Sequence, residues 1–300
     1  MKTTRILIAG AGGPLTTELA AVLRERFGAA NVITAGDTAA SDILLDVLDH
    51  AALGKVVGEC GITQVYLFNS TPPADPKLAA GKAWDDNVRR VIAVLEMARM
   101  AKLDKVFWPS GIDIFTDTAY GISKMTGEYW CDYYFRTFGV DVRSLRLPYL
   151  VCRERRAGEG MTAYIADLVL AALEQRPYTC YLDEDQCLPV IYLPDAARAM
   201  VQLMNAPKEK ISIRTSYNLS GLRFAPCDLE AVIKRQVPEL RVNYAPDYRQ
   251  AIASGHDTFI RDMEARLDWG WAPAYGLDDM AHDLLSRLAA QPDFYPHETL

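Results

Sequence analysis

The 300 residues are half hydrophobic, 10% aromatic and 24% charged, the proportions of a folded chain of one large or two modest domains. They exclude a disordered tail, a collagen-like fibre and a coiled coil. Thirty-nine acidic against thirty-two basic side chains leave a net charge of −7, which argues against a dedicated nucleic-acid binder, whose phosphate-facing surface has to be basic.

Arg5–Ala9 is predicted as the first strand, and Pro14–Phe27 as a helix with proline at its start. The apolar stretch Ile6–Ala9 runs straight into Gly10-Ala11-Gly12-Gly13, too short for the roughly 7–15-residue core of a signal peptide. No run approaches the ~20 apolar residues of a membrane helix, so the expectation is a cytoplasmic protein without a membrane span. Asn31–Thr34 is the next strand, Ile43–Leu45 a short apolar run, Ala51–Cys60 a helix ended by Gly61, and Val65–Phe68 a strand. Leu78–Met100 reads as a long helix on the spacing of Val88, Val91, Ile92 and Leu95. Val106–Trp108, helix Gly121–Phe138 and strand Val142–Leu147 complete the first half. The second half is less regular: helices at Thr162–Leu173, Pro194–Met204, Asp228–Gln236 and Leu277–Leu288, with strands at Pro189–Leu193 and Tyr217–Leu219. Strands alternating with helices predict a Rossmann-like, doubly wound parallel sheet in residues 1–150 and a smaller substrate lobe in 151–300, with 189–220 returning to the first domain.

The glycine turn follows a strand and opens a helix, the context of a dinucleotide-binding turn. Bare backbone can approach a pyrophosphate, and the helix N-terminus offers N–H donors and a positive dipole end. In the pattern GxxGxxG, Gly10 and Gly13 fill the first two places and Thr16 the third, with Pro14 and Leu15 between. The alternative is a plain strand–helix turn. Asp37 stands one place later than a ribose-binding acid at the end of strand two, and a solvated turn carboxylate is the competing reading. No arginine follows directly, which favours NAD over NADP. Asp46, Asp49 and Leu48 are candidates for the adenine edge.

Tyr120 and Lys124 lie four residues apart at the start of a helix, on one face. A nearby cation favours phenolate, so the pair can act as a general base toward an alcohol, with lysine also holding a ribose hydroxyl. A surface pair at helical spacing is the bland alternative. Six cysteines, at 60, 131, 152, 180, 187 and 227, and four histidines are scattered without ligand spacing, so no metal is expected. The cysteines read as mostly buried thiols in a reducing cytoplasm, with no base adjacent to Cys152, Cys180 or Cys187. Arg153, Arg155 and Arg156 form either a solvated loop, the preferred reading, or a carboxylate clamp. Asp195 reads as a first-turn carboxylate favoured by its helix dipole.

Ile8-Ala9-Gly10 with Gly13, Asp46-Val47-Leu48-Asp49, Ala83-Trp84-Asp85 with Asn87, Phe107-Trp108-Pro109-Ser110, Tyr120–Lys124, Gly127-Glu128 and Gly139–Ser144 together resemble the extended short-chain dehydrogenases/reductases. Ser216–Leu219, Pro246-Asp247 and Asp268-Trp269 carry the likeness into the second half. More narrowly the chain is similar to the L-threonine 3-dehydrogenases of that type. The resemblance implies NAD⁺, oxidation of the threonine side-chain hydroxyl to 2-amino-3-ketobutyrate, and a homodimer paired through Leu78–Met100 and Gly121–Phe138.

The departures from that family cluster on the chemistry. Gly111 stands where the family has a second serine that hydrogen-bonds the reacting oxygen; Ser110 remains one place earlier, where strand alternation turns it to another face. Only Thr116–Ala119 separate Phe115 from Tyr120, where the family has a longer loop. Pro73 replaces a serine, Asn69-Ser70 a small apolar pair beside the nicotinamide ribose, Thr16 the third glycine, Tyr149 a glycine near the nicotinamide, and His256 a tryptophan of the amino-acid pocket. Three readings stand. One is an NAD-dependent oxidoreductase acting on the 3-hydroxyl of threonine or a related amino acid, with Tyr120 as base, Lys124 its partner, Ser110 or a water as second donor, and Thr162, Tyr149 and His256 facing substrate. The second uses the pair for non-redox proton transfer, as in a lyase, epimerase or decarboxylase, with His256 as a further acid or base. The third is a non-catalytic relative.

Overall fold

Continuous apolar runs in the first half fold as parallel strands, because a strand covered on both faces needs no polar alternation. The computed structural model describes residues 3–68, 81, 84–115, 118–152, 160–255 and 259–290. The first half folds as β1 (Ile6–Ala9), α1 (Pro14–Phe27), β2 (Val32–Gly36), β3 (Ile43–Leu44), α2 (His50–Glu59), β4 (Gln64–Leu67), a π-helical turn Trp84–Arg89 running into α3 (Arg90–Ala101), β5 (Lys105–Gly111), α4 (Ala119–Phe138) and β6 (Val142–Leu147). The second half adds β7 (Tyr149–Val151), α5 (Ala163–Leu173), β8 (Tyr178–Cys180), β9 (Leu188–Tyr192), α6 (Leu193–Asn205), β10 (Tyr217–Asn218), β11 (Leu222–Phe224), α7 (Pro226–Lys234), β12 (Val242–Tyr244), α8 (Tyr248–Ser254), α9 (Met263–Trp269) and α10 (Leu277–Ala289).

Seven strands form one parallel sheet in the order β10-β6-β5-β4-β1-β2-β3. The chain winds outward in both directions from β1 and β4, which makes the doubly wound sheet and its crevice at the carboxyl ends of those strands. Leu7, Val65, Val106 and Val142 line one layer of its core with Leu53, Val91 and Leu95 from the helices. Gly127 lets α4 lie tightly on β5: a Cβ there would come within 2.4 Å of the Trp108 ring.

Two compact units divide the chain: Met1–Leu147, Ala196–Leu219 and Asp262–Trp271 build one, and Pro148–Asp195, Ser220–Arg261 and Ala272–Leu300 the other. In the first unit, β10 adds beside β6 with Tyr217 opposite Leu145. Asp262–Trp271 comes back as well, a return that the sequence reading does not contain. Asp268 there accepts hydrogen bonds from the Ser212 amide and hydroxyl and from the Tyr217 hydroxyl. In the second unit, β9 pairs parallel with β7 and antiparallel with β11, and β8 pairs with β12. These pairings are short, and apart from β9 their strands carry no strong sequence pattern. Helix α5 is buried from Ala163 through Ala172, as an apolar face all round requires.

Candidate active site

The chain leaves β1 at Ala9 and enters α1 over the glycine turn. Gly10 (φ +82°) and Gly12 (φ +139°) hold backbone shapes that side chains rarely adopt. The amides of Gly10 and Ala11 both donate to the carbonyl of Ala35 on β2, at 2.8 and 2.9 Å. A Cβ at Gly36 would sit 2.4 Å from the Ala11 oxygen, so β2 meets the turn at glycine contact distance. Thr16, in the third place of the pattern, is buried. Its Oγ1 accepts the amides of Gly12 and Gly13 at 3.1 Å each and donates to the Gly13 carbonyl at 2.8 Å. Among the described residues, a Cβ at Gly13 would meet nothing within 4 Å, and the first turn of α1 carries no acidic residue. A helix N-terminus that no described acidic side chain opposes fits a dinucleotide pyrophosphate. Pro14 has no amide, so the helix leaves the N–H groups of Leu15 and Thr16 for that anion.

At the end of β2, Asp37 is exposed. Asp46 is exposed and accepts the Leu48 amide at 3.0 Å, with Leu48 half-buried. Asp49 caps α2 by accepting the Ala52 amide at 2.9 Å. Asp42, which sequence reasoning passed over, accepts the Thr34 amide and hydroxyl and pairs with Arg24. Asn69, Ser70 and Pro73 lie outside the described residues.

Thr118 starts α4 by accepting the Gly121 amide at 3.0 Å, and this sets Tyr120 and Lys124 on the first turns. Lys124 is 2% exposed. Its Nζ lies 5.6 Å from the centre of the Tyr120 ring and 4.7 Å from that of Trp108, and donates to the Pro109 carbonyl at 2.8 Å. A buried ammonium requires such partners. Ser123 donates to the Tyr120 carbonyl at 2.7 Å and accepts from Asn87 Nδ2 at 2.8 Å. Among the described residues, the Oδ1 of the buried Asn87 and the Oγ of Ser110 have no hydrogen-bond partner. Strand alternation puts Ser110 on the face of Trp108, the face α4 covers. Ser110 pairs in register with Arg146, whose guanidinium grips Glu128 at 2.9 and 2.5 Å and Asn218 at 3.1 Å. Gly111 offers no side chain.

The structure therefore gathers the glycine turn in one place and Tyr120, Lys124 and the strand of Ser110 in another within the first unit. Sequence reasoning missed the Thr16 clamp, the Asn87–Ser123 contact and the Glu128–Arg146 pair. Only the last left a signal: Glu128 continues the four-residue spacing of Tyr120 and Lys124 along one helix face.

Tyr149 and Thr162 belong to the second unit. Tyr149 is half-buried on β7, while Thr162 is buried and its hydroxyl donates to the Leu150 carbonyl at 2.9 Å. His256, Arg153, Arg155 and Arg156 lie outside the described residues. Asp195 does stand in the first turn of α6, but it is buried and accepts the amides of Ala274 and Tyr275. Burial raises the thiols of Cys131 and Cys180, the latter to about 11, which keeps both neutral. A groove of about 1000 Å³, lined by Arg26, Arg198, Lys210 and Trp269, opens at the C-terminal ends of α1, α6 and α9. It lies at the end of α1 opposite the glycine turn, and of its cations Arg26 sits in the last turn of α1, where the helix dipole favours it. Among the described residues, no group of three His, Cys, Asp or Glu could hold a metal, and no helix is long and apolar enough to cross a membrane.

Residues 6–220 match the sequence model of the NAD dependent epimerase/dehydratase family. The mitochondrial L-threonine 3-dehydrogenase of Bos taurus is 32% identical over 307 residues, covering 94% of this chain and 82% of the bovine one. The GalE-like L-threonine dehydrogenase of Cupriavidus necator, solved in its holo form, superposes with a TM-score of 0.89 at 43% identity, over 95% of this chain and 99% of that one. A monomeric L-threonine 3-dehydrogenase from a metagenome gives 0.86 at 30% identity, over 96% and 100% of the two chains.

Proposed function

We propose that this chain, which belongs to the NAD dependent epimerase/dehydratase family, is an NAD-dependent dehydrogenase of the 3-hydroxyl of L-threonine or a closely related amino acid. The observation that carries the reading is the Tyr120–Lys124 pair, with its ammonium buried against Trp108 and anchored on Pro109. Gly10, Gly13 and the amides of Leu15 and Thr16 hold the coenzyme pyrophosphate. Asp37 and Asp46 face the adenosine end and Leu48 packs against the base, while Asn69 is assigned to the nicotinamide ribose on the family resemblance alone. When bound, NAD⁺ accepts a hydride from the alcohol carbon.

Tyr120 takes the proton of the substrate hydroxyl. Lys124 favours the phenolate by its charge and holds a ribose hydroxyl. Ser110, the hydroxyl on this strand end with spare hydrogen-bonding capacity, is the second donor to the reacting oxygen in place of the side chain that Gly111 lacks. On the family resemblance alone, Thr162, Tyr149 and His256 are assigned to the amino-acid substrate. Ile122, Met125, Tyr129 and Tyr133, exposed along α4, support a homodimer paired through α3 and α4. Six free cysteines fit a reducing cytoplasm. The non-redox alternative is set aside because each relative named above is a threonine dehydrogenase.

The test follows NADH absorbance with L-threonine and a panel of 3-hydroxy amino acids. Growth of NADH with threonine supports the reading. No absorbance change across the panel overturns it.

A further inference from the structure

We infer that Thr16 is a positioning residue for the coenzyme turn, whose hydroxyl holds Gly12 and Gly13 in the receiving shape before the coenzyme arrives. This rests on the NAD-binding reading above and deepens it.

Three glycines in four residues give the turn its close approach, but they also leave it free to sample many backbone shapes. Gly12 and Gly13 precede the helix, so no carbonyl of α1 can accept their amides. The Thr16 hydroxyl does so. It accepts both amides and donates its proton to the Gly13 carbonyl, which uses its full hydrogen-bonding capacity. At 5% exposure, water does not compete with these contacts. The β-branched side chain has few rotamers to lose in a helix. A glycine in the third place of the pattern has no atom that could do any of this.

Pro14 fixes the next residue, and the Ala35 carbonyl holds Gly10 and Ala11 from the other side. The turn is thus tied at both ends, and the Leu15 and Thr16 amides stay free for the anion. A protein whose binding-competent shape is only partly populated binds more weakly by that fraction. Removing the hydroxyl should lower that fraction, and coenzyme affinity with it.

The experiment compares the native chain with Thr16→Val, Thr16→Ser and Thr16→Gly. Amide exchange at Gly12 and Gly13 is read without coenzyme, NADH affinity by fluorescence titration, and steady-state kinetics in NAD⁺. Thr16→Val keeps the shape and is expected to speed exchange and weaken NADH binding by about three- to tenfold. KM for NAD⁺ should rise with it while kcat holds. Thr16→Ser should restore both readouts, and Thr16→Gly repeats the loss if valine disturbs the packing. Faster exchange with unchanged NADH affinity would reduce Thr16 to a helix cap and overturn the inference. Tighter binding by Thr16→Val or Thr16→Gly would overturn it too, because the hydroxyl would then be withholding amides from the pyrophosphate. A native chain that binds no NADH removes the NAD reading and this inference with it. That failure is distinct, since the clamp is judged only between variants of a chain that binds.

Discussion

The buried ammonium of Lys124 donates a 2.8 Å hydrogen bond to the carbonyl oxygen of Pro109. This contact fastens the first turns of α4 to the end of β5 and fixes the cation 5.6 Å from the centre of the Tyr120 ring. The face of Trp108 closes the other side at 4.7 Å. The charge is thus shielded from water on the sheet side, where its effect on a nearby phenol is least diluted.

Tyr120→Phe and Lys124→Met should each lower kcat for threonine oxidation by on the order of 10²–10⁴. Because the two groups act as one unit, the double variant should lose little more than either single one. Initial rates of NADH formation measure this. A Tyr120→Phe enzyme with native kcat would remove the phenol from the chemistry.

Ser110 separates two sources of the second hydrogen bond. Among the described residues its buried hydroxyl has no partner, so Ser110→Ala deletes a polar group whose burial costs stability. The melting temperature should hold or rise slightly. If the hydroxyl reaches the reacting oxygen, kcat should fall by roughly 10². Native kcat in the alanine variant would assign the donor to water. Gly111→Ser tests the same point from the neighbouring position. It puts a hydroxyl where the resemblance places one and is expected to raise kcat.

Tyr120 and Lys124 are legible in the sequence because helical spacing alone sets them on one face. What holds them is not. Pro109 offers a backbone carbonyl, which carries no side-chain signature, and Asn87 meets Ser123 across 36 residues of chain. The strands of the large sheet are legible as continuous apolar runs. The return of Asp262–Trp271 is not, since it depends on Asp268 meeting Ser212 and Tyr217 from far away in the chain. Thr16 reads in the sequence only as a missing glycine, and its gain appears once Oγ1 is seen bonded to two amides.

Asp141 supports the edge of the sheet that carries β6 and β10. It receives hydrogen bonds from Arg143 and Arg214, and all three side chains are buried. Burial works to raise its carboxyl, but the two guanidinium groups outweigh that and hold it below the ordinary 3.8. A lowered folded-state value means that the stabilisation is complete above the ordinary value and is lost as pH falls through the folded one. Thermal melting of the native chain should therefore fall steeply below pH ~4. Asp141→Asn leaves two buried cations short of a counter-charge and should cost about 3–5 kcal/mol at neutral pH. It should also flatten the acid limb. Native melting behaviour in the asparagine variant would show that the cluster carries no net stability.

The outer face of α4 sets the last prediction. Ile122, Met125, Tyr129 and Tyr133 follow one another at helical spacing, and Ile122 and Tyr129 are 59% and 64% exposed. Met100 on α3 adds a further exposed apolar side chain. A continuous apolar stripe on a folded chain marks an interface, and a two-fold axis would lay the same stripe of a second copy against it. Tyr129→Glu would then bring two carboxylates into that contact and should turn a dimer into a monomer in size-exclusion chromatography with light scattering. Native melting should rise with protein concentration, and that dependence should vanish in the variant. A native chain that runs as a monomer at every concentration would leave the stripe without a second copy to cover it.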